Sequence, residues 1–137
     1  MNNQQLAISA IAGLQEILED EPTCTDLKEY TDHFFAPGVY LRTIFIPAGM
    51  FLVGRRQRHE VLNILLKGTI AITNEHDEQV LAKAPLIFTA KPGQKAGYSV
   101  TDVWYATVHA NPDDLTDIEQ LEEKILYPIH NILEVIS

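Results

Sequence analysis

The feature that most constrains this chain is a change of period. From Val39 to Val108, apolar and polar residues alternate in short runs, and a turn signal closes each run. Successive side chains of an extended backbone point to opposite faces, so this alternation marks half-buried strands. The spacing predicts strands over Val39–Ile46, Met50–Val53, His59–Leu66, Thr69–Thr73, Gln79–Ala82, Leu86–Thr89, Gly97–Val100 and Val103–Val108. Between them stand Pro37-Gly38, Pro47-Ala48-Gly49, Gly54, Lys67-Gly68, Asn74 to Asp77, Ala84-Pro85, Pro92-Gly93 and Thr101-Asp102. Residues of these types break ladders and make turns. Some eight short strands at such intervals fit a closed or double-sheet β core, a jelly roll or small barrel.

Outside this region the period returns to that of a helix. Leu6, Ile11, Leu14, Ile17 and Leu18 recur at helical spacing until Glu19, Asp20, Glu21 and Pro22 end the run. At the other end Asn111-Pro112-Asp113-Asp114 forms a turn, and Thr116 with Glu119 reads as a capping box ahead of Ile118, Leu121 and Ile125. Pro128 breaks that helix and leaves Ile129, Ile132, Leu133 and Ile136 as a second short apolar face. The expected layout is one domain of 137 residues, with a helical extension over 1–31, a β core over 32–112 and a helical segment over 113–137.

Charge follows the same division. Residues 33–110 carry eight basic and five acidic side chains, so the net charge of −9 is concentrated at the two ends. Acidic ends argue against nucleic acid, which is bound through clustered Lys and Arg. No apolar run approaches the roughly 18 residues of a membrane span, and the chain opens NNQQ without a basic leader. Cys24 is alone, which suits a reducing interior and leaves an inert thiol as its expected state. A cytoplasmic protein is expected. His33 in DHFF and His76 in NEHDE read as loop or surface residues, and Trp104 and Tyr105 must face opposite sides of one strand.

At this point the chain resembles a known family. PAGMFLVGRRQRHEVLNILLKGTIAI looks like the first half of a cupin, with a Pro-x-Gly turn, a short strand, a ligand-bearing strand and a glycine turn. DHFFAPGVYLRTIFIPAG, HEVLNILLKG, AP-LIFTAKPG and VWYATVHANP are similar to small single-domain cupins of tailed phages and prophages. The resemblance covers about Asp32 to Pro112. It implies a mainly β double-stranded β-helix, or jelly roll, with an N-terminal helix and C-terminal helices.

The resemblance also implies a site. Metal-binding cupins place two histidines and a glutamate on one face of the first motif strand, and a last histidine on a later strand. Here those positions fall on Gln57, His59 and Asn63, with His109 as the last ligand. Lys95 and Ala96 stand after Pro92-Gly93, where the general pattern offers a histidine. The expected metal candidates are therefore His59, His109, Gln57 and Asn63, for one divalent transition metal or none. Gln and Asn offer only weak neutral oxygens, so the set carries no negative charge.

Alternation puts Arg56 and Arg58 on the face opposite His59, at a rim where they would meet an acidic terminal helix. Tyr40, Arg42, Tyr98 and Lys95 are candidates for a polar mouth. The incomplete ligand set favours a non-enzymatic protein of phage or prophage type, acting through protein contacts as a virion component or host-directed accessory. A protein partner and a homo-oligomer, dimer or larger, are expected with it. The alternatives are a metal-dependent dioxygenase or isomerase, and a small-molecule or carbohydrate-binding cupin.

Overall fold

The computed structural model describes residues 27–76 and 78–128. The expected helix over Leu6–Leu18, Cys24 and the apolar face Ile129–Ile136 lie outside them. Among the described residues the chain forms nine strands and one α-helix: β1 Thr31–Ala36, β2 Gly38–Ile46, β3 Phe51–Val53, β4 Val61–Lys67, β5 Thr69–Asn74, β6 Gln79–Lys83, β7 Leu86–Ala90, β8 Lys95–Ser99, β9 Val103–Asn111 and α1 Ile118–Ile125. A 3-10 turn, Leu27–Tyr30, leads into β1. The eight predicted strands are all present, with ends that coincide or move by up to three residues.

The strands make two antiparallel sheets, one ordered β1-β2-β9-β4-β7 and the other β3-β8-β5-β6. Apart from β1 with β2 and β5 with β6, the paired strands are not consecutive in sequence, which is the winding of a jelly roll. Between the sheets Ile46, Leu65, Ile70, Ala82 and Val103 form a buried core, joined by Ile44, Met50, Leu52, Ile72 and Leu86. The turn from β4 to β5 needs its glycine. Gly68 has φ +92°, and a Cβ there would stand 2.0 Å from the Asp102 carbonyl oxygen.

Three expectations need correction. β1 is an unforeseen strand, because TDHFFA places bulky residues on both faces instead of alternating. It is an edge strand joined to β2 through Pro37-Gly38, with Gly38 at φ +77°, and pairs along its whole length from Thr31↔Ile44 to Ala36↔Val39. His33 is therefore a half-buried strand residue and not a loop residue. The cap of α1 is Asp117 rather than Thr116, since the Asp117 carboxylate accepts from the backbone N–H groups of Glu119 (2.9 Å) and Gln120 (3.3 Å). Finally, β4 starts at Val61 rather than His59. The backbone before it is bonded elsewhere: Gln57 exchanges hydrogen bonds with Gly93, and the Arg58 N–H donates to the Ile125 carbonyl at 2.9 Å.

Helix α1 buries Leu121 and Ile125 against Tyr40, with Leu126 just beyond its end. Glu119, Glu123 and Lys124 are exposed, as its amphipathic pattern requires, while Glu122 is partly buried. After Ile125 the chain straightens, and Leu126 forms a bridge to Gln57, which is bridged on its other side to Gly93. A three-stranded splice thus ties the arginine-rich loop to the end of the described chain.

Candidate functional site: a polar belt and cavity between the sheets

Register sets the site. Across the inner face of the five-stranded sheet one row runs His33, Arg42, Thr107, Asn63 and Phe88, each paired with the next. The adjoining row holds Phe35, Tyr40 and His109. Both rows lie between the apolar core and the α1 cluster, so polar groups form a belt in an otherwise apolar interior.

At one end of the belt the groups are satisfied. Tyr40 is fully buried, and its hydroxyl accepts from Arg42 Nε at 2.8 Å and lies 2.6 Å from His33 Nδ1. Burial raises the Tyr40 pKa, and burial together with Arg42 lowers that of His33, so a phenol donating to a neutral imidazole fits both shifts. The Tyr40 ring stacks on His33, Phe35 and His109 at centroid distances of 5.8, 5.4 and 5.6 Å. His109, only 6% exposed, is 3.0 Å from the Thr107 hydroxyl through Nε2. Burial first, then the charges of Arg42, His59 and Lys95, pushes its pKa down to about 4.

The arginines fix the loop to the rest of the fold. Arg56 makes a two-pronged pair with Glu75, Nε to Oε2 at 3.1 Å and Nη2 to Oε1 at 3.2 Å, and Glu75 is buried. Glu75 also accepts from the Gln94 N–H. Arg58 donates to the Leu126 carbonyl at 2.8 Å, and the guanidinium groups of Arg56 and Arg58 lie 4.8 and 4.5 Å from the Tyr127 ring centroid. The acidic helix is met instead by Arg42 and Arg55, which share Glu122 at 3.1 and 3.2 Å. The expected rim contact therefore exists, made by different arginines.

At the other end of the belt the groups are not satisfied. A cavity of about 420 Å3 opens between the sheets, with apolar walls that include Ile44, Leu52, Ile70, Ile72 and Tyr105. Its polar lining is Arg55, Gln57, Lys95 and Thr107. Gln57 Oε1 and Arg55 Nε are buried without a hydrogen-bond partner among the described residues. Asn63, opposite Thr107 and 0% exposed, has neither Oδ1 nor Nδ2 bonded among the described residues. The Lys95 ammonium lies 5.8 Å from the Phe88 ring centroid and has no carboxylate partner among the described residues. Burial pushes its pKa down to about 8.

Comparison with known proteins agrees with the fold. No family model and no curated protein matches the sequence. Solved structures do. A cupin superfamily protein from Desulfitobacterium hafniense is 11% identical, with a TM-score of 0.50 over 58% of this chain and 74% of its own. The cupin domain of Cnp3 from Schizosaccharomyces pombe is 17% identical, with a TM-score of 0.50 over 69% of each chain. A salicylate 1,2-dioxygenase mutant from Pseudoaminobacter salicylatoxidans is 14% identical, with a TM-score of 0.56 over 83% of this chain and 34% of its own. At such identities the likeness establishes the architecture and leaves the chemistry open. The chain has the cupin fold, a mainly β jelly roll.

That fold often holds a metal, and the four candidate positions can be tested for it. Gln57, Asn63 and His109 do face the interior. His59 does not: it is exposed, in the bend before β4. Among the described residues no three His, Cys, Asp or Glu side chains come together as a metal-holding group. What remains is one imidazole and two neutral amides, with Lys95 and Arg42 adding positive charge. This donor set does not fit a divalent cation. Sequence reasoning placed Lys95 only at a mouth; its signal was a lone lysine in KAGYS, followed by Ala96 and Gly97, which are too small to cover it.

Proposed function

We propose that this chain is a cupin-fold binding module that takes a small organic ligand, without metal, into the cavity between its sheets. The observation that carries this reading is the pair of buried polar atoms on the cavity lining without a partner among the described residues, Gln57 Oε1 and Arg55 Nε, with both amide atoms of Asn63 in the same state next to the lining residue Thr107. A buried polar group left unbonded costs about 1–3 kcal/mol. Two such atoms on the lining of one cavity, and two more on the residue beside it, point to a partner molecule that completes them. A cavity of about 420 Å3 also falls in the usual range for small ligands, roughly 300–1,000 Å3.

The test is a thermal-shift screen with small carboxylic acids, their amides, alcohols and monosaccharides, on wild type and on Asn63→Leu. A raised melting temperature with at least one compound, absent in Asn63→Leu, is the expected result. The free variant should be as stable as wild type or more so, by up to ~3 kcal/mol. Silence of the whole screen, with a less stable variant, contradicts the reading.

A second reading rests on the outer face of the five-stranded sheet. Register aligns Phe34, Leu41, Val108 and Leu62 in one apolar row, and Ala106, Ile64 and Ile87 in the next. Ile87 is 66% exposed, and Phe34, Leu62 and Trp104 are exposed as well. Such a face supports the contact role suggested by the phage and prophage resemblance, with a second copy of this chain as the occupant. Light scattering should then give a dimer mass that falls to the monomer value in Ile87→Lys. A monomeric wild type removes this reading.

A further inference from the structure

We infer that the ligand is a small carboxylate with an apolar body and a hydrogen-bond donor, and that Lys95 is its anchor. The inference rests on the cavity-binding reading above and names the class of ligand. Two cations line the cavity. The Arg55 guanidinium is matched at Nη1 by Glu122, 3.2 Å away, while its Nε is buried and unbonded. Lys95 is matched by nothing anionic among the described residues. Its ammonium lies over the Phe88 ring at 5.8 Å from the centroid, a weak substitute for a carboxylate.

Among the other cations Arg56 is matched by Glu75, while Arg42 shares the single carboxylate of Glu122 with Arg55. Lys95 is the lining cation that meets no carboxylate among the described residues, which calls for an anionic group beside it. Lys95 and Arg55 Nε together offer donors for the two oxygens of a carboxylate. Gln57 Oε1 is an acceptor and needs a donor, such as a hydroxyl, from the same molecule. Ile44, Leu52, Ile70, Ile72 and Tyr105 present only apolar surface to the remainder. The lowered Lys95 pKa supports the assignment, since it marks an ammonium held from water without compensating charge.

The experiment is calorimetric titration of the full chain with butyrate, hexanoate, benzoate and 4-hydroxybenzoate, each beside its primary amide. The acids should bind roughly tenfold or more tightly than their amides, in line with a charge-assisted hydrogen bond. Lys95→Met should abolish the difference while amide binding persists, and Lys95→Arg should retain it. Lys95→Gln serves if the Met variant does not fold. Equal binding of acids and amides, or a preference that survives Lys95→Met or Lys95→Gln, overturns the inference and leaves the cavity reading intact. Failure of every acid and every amide to bind overturns both.

Discussion

Glu75 shows how much can hang on one side chain. Its carboxylate holds Arg56 and the Gln94 N–H, and it fills the space beside Gly93, where a Cβ would stand 2.4 Å from Oε1. Gly93 also has φ +129°, a conformation L side chains rarely adopt. Glu75→Ala leaves the Arg56 charge buried without its partner, and a loss of about 3–5 kcal/mol is expected in denaturant melts. Gly93→Ala should also destabilise, by strain and by displacing the same carboxylate. A Glu75→Ala change below about 1 kcal/mol would place this pair among surface bridges of little consequence.

His109 makes a prediction of opposite character. Its pKa is about 4 in the folded chain and near 6.5 when unfolded. Above pH 6.5 both states are neutral and the stabilisation is whole. As pH falls from 6.5 towards 4, the unfolded chain takes up a proton that the folded chain refuses, so stability drops, by on the order of 3 kcal/mol. Arg42 on β2, His59 in the loop and Lys95 on β8 all oppose that proton. Stability measured from pH 7.5 to pH 4 should lose most of this slope in His109→Gln; an unchanged slope would assign it elsewhere.

Among the elements, the strands were legible and the loop was not. Alternation announced eight of nine strands because each has one apolar face turned to the core. β1 escaped because Phe34 and Phe35 are both exposed, one on each side of an edge. Gln57 and Asn63 were correctly expected inside, but His59 was placed with them by running period 2 back through RRQR. Neither the bridges from Gln57 to Gly93 and Leu126 nor the Arg58 bond to Ile125 is local, so no short window of sequence contains them. The same splice makes α1 depend on the loop. Asp117→Ala should lower stability by about 1 kcal/mol through the lost cap, visible as a shifted midpoint at unchanged slope. No change would show that docking alone holds the helix.

Viewed whole, the molecule is a jelly roll whose interior has two apolar ends and a polar belt, and the belt is half satisfied. The satisfied half, Tyr40, His33 and Arg42 with Glu122, fixes α1 over the sheet. The unsatisfied half opens on the cavity. This division was hidden in the sequence, because it depends on which residues meet across strands far apart in the chain. A metal is not the partner that the belt's donors favour. Elemental analysis of protein purified without an affinity tag should find well under one equivalent of zinc, iron, nickel, copper or manganese. Near one equivalent, lost in His109→Ala, would reverse that assignment.

The most direct test of the cavity reading is the side-chain amide spectrum of Asn63 and Gln57, followed by nitrogen-15 NMR during titration with the acid and amide series. The Asn63 Nδ2 protons, which have no hydrogen-bond partner among the described residues, should shift saturably with at least one compound while resonances on the outer sheet face stay fixed. Asn63 and Gln57 signals that remain unmoved by every compound at saturating concentration would contradict it.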